Sequence, residues 1–213
     1  MRELRRCGPH SYIKIEDPNE ISSFTIFGDM DELASPGTGF EFFRGLGIIG
    51  YAKTFKIWLR KFPRPVFIAA VDRGVMISWV FIEAWGETAR DGSPVWVLRA
   101  IESLPTYRRR RIGYRLLLLG LQQTMGYMIT KPLTPDADRF FRRAGFMDEK
   151  EFSTPPIDLS RHPGYLILPP YRRKKLLDEM ERFFKFVPEG EEALARLDAY
   201  TTAIEGGGDR KGQ

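Results

Sequence analysis

Thiols and imidazoles are nearly missing from this sequence. A single cysteine, Cys7, excludes an intramolecular disulfide and any zinc cluster built from thiolates. The two histidines, His10 and His162, each sit beside a proline at opposite ends of the chain. Neither a metal site nor a Ser-His-Asp arrangement is therefore expected, and the expected metal count is none. No apolar run reaches the roughly 18 residues that a membrane span needs, so no membrane partner is expected. The basic N-terminus has no apolar run after it, unlike a secretory signal. A reducing cytoplasm is the default location.

What is present suits a folded domain. Of 213 residues, 43% are hydrophobic and 29% charged, enough apolar material to bury a core. The net charge of +5 favours an anionic partner, which a phosphorylated cofactor satisfies as well as a nucleic acid does. Composition does not decide between them.

Periodicity places the elements. Residues 11–16 alternate as a half-buried strand does, and Asp17-Pro18-Asn19 can open a short helix. A loop over 34–39 precedes the aromatic-rich stretch 40–62, read as one or two helices broken near Gly45, Gly47 and Gly50. Its aromatic face is either plain core or part of an acceptor pocket. Residues 65–72 and 75–85 form a hairpin about Arg73-Gly74, and 95–104 adds a third strand, giving an antiparallel meander. A leucine-rich helix begins near Ile112, followed by a short strand at 127–130. A further helix has Thr134 as its cap and Pro135 as its first residue, and Gly145 stands at its end. A last strand is expected within 164–170. Helices are expected at 172–185 and 189–204, the first with Arg172 to Lys175 as a solvated end, and 205–213 should be disordered.

The segment that carries chemistry runs from Glu102 to Leu118. A strand stops at Pro105, four consecutive arginines follow, and Gly113 sits where the leucine-rich helix starts. The first amides of a helix have no internal partner and lie at the positive end of its dipole. A glycine there lets the backbone approach a phosphate closely, and arginines add charge-assisted hydrogen bonds. The same arginines could also be a solvated loop or a nucleic-acid patch.

This segment resembles the cofactor motif of the GNAT (Gcn5-related N-acetyltransferase) family. Pro105, Tyr107, Arg108, Ile112 and Gly113 fit that motif, while Ser103 and Arg111 replace its usual valine and first glycine. A second family motif resembles the stretch with Thr134, Ala137, Phe140, Phe141, Gly145 and Phe146. Here Thr134 replaces an asparagine and Phe141 a tyrosine.

The resemblance implies an α/β (α+β) fold, a mixed and largely antiparallel sheet flanked by helices. The acyl-CoA-binding domain would span 1–170, with a C-terminal helical extension over 171–204. It further implies a sheet splayed between its fourth and fifth strands, with the pantetheine arm of acetyl-CoA, the co-substrate, in the gap. Backbone groups of Ile101, Glu102 and Ser103 would meet pantetheine, and the amides from Arg109 to Tyr114 would hold the pyrophosphate. Side chains of Arg108, Arg109, Arg110 and Arg111 could reach the 3′-phosphate; Thr134 and Phe141 complete the cofactor set. An ordinary backbone conformation is required at Arg111, because φ > 0 there would cost on the order of 1–2 kcal/mol.

Acyl transfer to an amine needs a base, with Glu102 first and Glu83 second in line, and a proton for the departing thiolate. The family's tyrosine stands at Phe141, so Tyr127 or Tyr165 would have to substitute. The expected function is acetyl transfer from acetyl-CoA to an amine acceptor. The alternatives are a CoA-binding protein without turnover and, less favoured, a nucleic-acid-associated protein. A homodimer through the C-terminal helices is one way to cover their apolar faces.

Overall fold

The computed structural model describes residues 1–28, 39–43, 46–48 and 50–185. Most of the loop at 34–39, the helix expected at 189–204 and the tail lie outside the described residues.

Eight strands of the described residues form one sheet in the order β1-β2-β3-β4-β5-β6-β8-β7. They are β1 (Arg2–Cys7), β2 (His10–Ile15), β3 (Val66–Asp72), β4 (Val75–Ala84), β5 (Val95–Ser103), β6 (Tyr127–Thr130), β7 (Met147–Asp148) and β8 (Leu166–Leu168). All neighbours are antiparallel except β5 and β6. This is the mixed, largely antiparallel sheet that the sequence implied. The hairpin between β3 and β4 turns on Arg73 and Gly74, at φ 47° and 81°. Two successive left-handed residues match the right-handed twist of the flanking strands.

β1 was not legible in the sequence. Four of its six residues are Arg2, Glu3, Arg5 and Arg6, which hide the apolar alternation. Charge of this kind is how an edge strand resists pairing with another chain.

Helices cover both faces. On one, α1 (Tyr51–Trp58) sets Phe55 4.8 Å from Phe67 and Trp58 4.3 Å from Phe81, ring centre to ring centre. On the other lies α2 (Ile112–Gln122), apolar round most of its circumference, with Leu116 to Leu119 fully buried. A Cβ at Gly120 would come within 2.5 Å of Ile82, so this glycine lets α2 press against β4. The strand–helix–strand passage β5-α2-β6 makes the parallel pair among the described strands of the sheet.

α3 (Pro135–Arg143) starts as expected, the Thr134 hydroxyl accepting from the Ala137 amide at 3.2 Å. The C-terminal stretch departs from a single helix over 172–185. It forms α4 (Pro170–Asp178) and α5 (Met180–Phe184), separated at Glu179. Proline as the first residue of α4 is what brings its start forward. Both helices pack on α2; Phe183 of α5 lies 4.7 Å from Tyr114 of α2, and Phe184 5.4 Å from Tyr12 of β2.

The basic run at the head of α4 is not simply a solvated end. Arg173 is only 7% exposed. Its guanidinium donates to the carbonyls of Leu121, Thr124 and Gly126, satisfying the open C-terminus of α2 where a cation also suits the dipole.

Candidate functional site

The sheet forks at its centre. β5 and β6 pair from Val95–Tyr127 to Leu98–Thr130 and then part. The buried Thr130 hydroxyl donates to the Leu98 carbonyl at 3.0 Å in the crotch of the fork. On the other side of β5 the register with β4 slips between Ile82–Leu98 and Phe81–Ala100, so Arg99 is a bulge residue. Bulges bend a strand and re-aim its side chains.

Beyond the bulge, the backbone of β5 sorts into two sets. The Glu102 carbonyl accepts from the Ser78 hydroxyl at 2.6 Å, and the Leu104 amide donates to Ile77 at 2.9 Å. Both therefore face β4. Backbone groups alternate along an antiparallel strand, so those of Ile101 and Ser103 face the fork, where no described strand pairs with them. The expectation that Glu102 shares its backbone with a cofactor needs correcting, since its carbonyl is already engaged on the β4 side.

At the end of β5 the chain turns through Pro105–Tyr107 into the arginines. Arg109 has φ 65° and Arg111 φ 60° with ψ 7°, both left-handed. Arg111 thus adopts the conformation a glycine would favour, contrary to the expected ordinary turn, at a cost of about 1–2 kcal/mol. It caps α2 without a side-chain hydrogen bond. Among the described residues, the amides of Ile112, Gly113 and Tyr114 find no protein acceptor, while that of Arg115 bonds to the Arg111 carbonyl at 3.0 Å. Three amides at the positive end of an eleven-residue helix are thus open beside the fork. A Cβ at Gly113 would meet nothing closer than Ser103 Oγ at 3.8 Å. The glycine is not demanded by protein packing.

The arginines divide by partner. Arg108 pairs with Glu41 at 3.0 Å, and Arg110 lies 5.3 Å over the ring of Tyr107. Arg109 and Arg111 make no ion pair among the described residues. Tyr107 itself donates to Asp72 at 3.0 Å, tying the loop to the tip of the β3–β4 hairpin.

Glu102 stands on the α1 face, paired across the strands with Trp79. Its Oε1 accepts from the amides of Glu41 at 2.6 Å and Phe42 at 2.9 Å, and its Oε2 from the Tyr51 hydroxyl at 3.2 Å. Burial nevertheless raises its pKa above the ordinary carboxylate range, outweighing these hydrogen bonds and the nearby Arg108. A carboxylate so placed is held in one orientation and is more basic than usual.

Glu83 is different. Burial pushes its pKa up, but hydrogen bonds from Lys61 at 2.8 Å and Arg99 at 2.5 Å outweigh it and hold the carboxyl below its ordinary value. It lies four positions from Trp79 along β4, and its oxygens are committed to cations.

Tyr127 is not brought to Glu102. It pairs with Val95, seven positions before Glu102, or roughly 23 Å at about 3.3 Å per residue. Its hydroxyl donates to Asp91 at 3.2 Å. Thr134 caps α3, and Phe141 is 4% exposed with its ring 5.1 and 5.2 Å from those of Phe140 and Phe146. The partners of Glu102 were missed by sequence reasoning. Glu41, Phe42 and Tyr51 lie 61, 60 and 51 positions away, and no local pattern marks them.

Solved structures with this architecture exist. A tyrosine-to-phenylalanine mutant of the toxin AtaT, bound to acetyl-CoA and the C-terminus of the antitoxin AtaR, superimposes with a TM-score of 0.53 at 10% identity, over 79% of this chain and 98% of that one. The KacTA–DNA complex gives 0.52 at 14% identity, over 80% and 99%. A protein from Desulfovibrio desulfuricans assigned to the GNAT acetyltransferases gives 0.50 at 13%, over 75% and 98%. The chain has the GNAT fold. No family model matches the sequence, and no curated protein matches it. In this GNAT fold the fork lies between the fifth and sixth strands, because β1 adds one strand ahead of those the sequence revealed.

Proposed function

We propose that the protein transfers an acetyl group from acetyl-CoA to an amine. The observation that carries this reading is the set of open amides at Ile112, Gly113 and Tyr114, set beside a forked sheet whose inner lip carries the oriented carboxylate of Glu102. The pyrophosphate would meet those amides, with Arg109 and Arg111 available to the remaining phosphate. The pantetheine arm would run along Ile101 and Ser103. Acetyl-CoA bound to the similar AtaT structure supports this choice of donor.

In this reading Glu102 takes the proton of the attacking amine, directly or through water. Its raised basicity suits a base working near neutrality. Glu83 holds Lys61 and Arg99 in place, and Thr134 positions α3. The replacement of tyrosine by Phe141 favours one second reading, a CoA-binding protein without turnover.

Thermal melting with and without acetyl-CoA, followed by release of free thiol across an amine panel, tests both. Acetyl-CoA at a hundred times its dissociation constant should stabilise the fold by about 2.7 kcal/mol. The absence of any shift would remove the cofactor reading, whereas a shift without thiol release would leave the binding protein. Two of the similar structures are complexes with an antitoxin or with DNA. A regulatory protein and duplex DNA are therefore the partner classes to try first.

A further inference from the structure

We propose that Tyr165 is the proton donor to the departing thiolate, an inference that rests on the acyl-transfer reading above. As the amine nitrogen bonds to the thioester carbon, the carbon–sulfur bond breaks and sulfur leaves with the electron pair. A proton delivered to that sulfur lowers the barrier. Phe141 has none to give. The donor must then be another group at the fork.

The six other tyrosines of the described residues are engaged elsewhere. Tyr127 donates to Asp91 at the closed end of the β5–β6 pair, and Tyr107 donates to Asp72. Tyr114 packs on Phe183, and Tyr51 donates to Glu102. Tyr12 is fully buried beside Phe184, and Tyr171 donates to Met147. Among the described residues, Tyr165 is the tyrosine whose hydroxyl meets the bulge residue of β5.

The topology puts it there. Leu166, at the start of β8, pairs with Thr130, the last residue of β6, so Tyr165 lies one step past the point where β5 and β6 separate. Side chains alternate along a strand. Leu166 faces the core under α2, and Tyr165 shares the opposite face with Ile167, packed against the apolar cluster that includes Val97 and Ile129. That is also the face of Glu83, Arg99 and Glu102. Arg99 Nη1 donates to the Tyr165 hydroxyl at 3.4 Å, reaching across from the bulge of β5, while its Nε is held by Glu83 at 2.5 Å. Trp85 and His162 flank the ring at 5.9 and 6.1 Å.

The chemistry follows from this arrangement. Arg99 occupies a lone pair of the phenol oxygen, which leaves the hydroxyl proton free to turn into the fork. When that proton passes to sulfur, the charge left on the phenol oxygen lies beside the Arg99 guanidinium. Glu102 holds the proton taken from the amine. Exchange with water returns one proton to Tyr165 and removes one from Glu102, so the cycle closes without a further reactant.

The test compares the full chain with Tyr165→Phe, using hydroxylamine and an amine panel as nucleophiles and free CoA thiol as the readout. The variant should lose about 100-fold in kcat, with its KM for acetyl-CoA and its acetyl-CoA thermal shift within about twofold of wild type. A kcat within threefold of wild type would overturn the role of Tyr165 and leave acyl transfer standing. Loss of the thermal shift as well would make the residue a structural one and equally overturn the proposal. Wild-type protein that releases no thiol above the buffer rate would instead overturn the acyl-transfer reading itself.

Discussion

The phenol oxygen of Tyr51 lies 3.2 Å from Glu102 Oε2 and also accepts from the Phe43 amide at 3.0 Å. One hydroxyl thus joins a buried loop amide to the carboxylate on β5. Together with the amides of Glu41 and Phe42, it fixes Glu102 in one orientation without neutralising its charge. Arg108 at the cofactor turn binds the side chain of Glu41, so the phosphate side and the carboxylate side of the site share a single loop.

Glu102→Gln should separate catalysis from stability. Removal of a general base lowers kcat by about 10²–10⁴. The pKa of Glu102 is raised in the folded state, so the folded protein binds the proton more tightly than the unfolded chain. Its contribution to stability is greatest at low pH and is lost as pH rises through the carboxylate range toward the folded-state value. The glutamine variant carries no such loss, and its Tm relative to wild type should rise with pH across that window. In wild type, kcat/KM should rise with pH through a pKa above that of an ordinary glutamate. A profile flat through that region would exclude Glu102 as the base.

Gly113→Ala and Arg111→Gly should each stabilise the unliganded turn and weaken its hold on acetyl-CoA, for different reasons. Alanine at 113 has room within the protein and favours helix by up to about 1 kcal/mol, so the unliganded variant should melt higher. Its methyl group stands where the backbone must approach a phosphate, and the acetyl-CoA shift should shrink. Glycine at 111 removes the left-handed penalty of about 1–2 kcal/mol, raising Tm in its turn, but it also removes a cation. The dissociation constant for acetyl-CoA should weaken and lose part of its salt dependence. Calorimetric titration at two ionic strengths reads both effects.

Arg173→Met keeps the length of the side chain and deletes its donors. Three carbonyls at the end of α2 would lose their partner, and each unsatisfied buried acceptor costs about 1–3 kcal/mol. Urea denaturation should show a loss of at least about 2 kcal/mol, with acetyl-CoA binding retained in the folded fraction. A change below about 0.5 kcal/mol would mean that water replaces the guanidinium at no loss.

The meander, the crossover helix, the Thr134 cap and the turn at Gly113 were all legible in the sequence. Each is written in neighbouring residues: an alternation, a 3.6-residue period, a capping oxygen, a glycine after basic residues. β1 was hidden because an exposed edge strand has no reason to alternate when charge protects both sides of it. The break at Glu179 was hidden because apolar spacing continues across it.

What the sequence by itself determined was the order of elements and the chemistry of the loop between β5 and α2, since short-range hydrogen bonding and burial dictate both. Only the tertiary structure decided which carboxylate is held by amides and which by cations, because Glu102 and Glu83 sit on adjacent strands with similar neighbours in sequence. Their partners arrive from segments tens of residues away, and hydrogen-bond distance is a property of the fold, not of the local chain. The same holds for the bulge at Arg99 and the contact it makes with Tyr165.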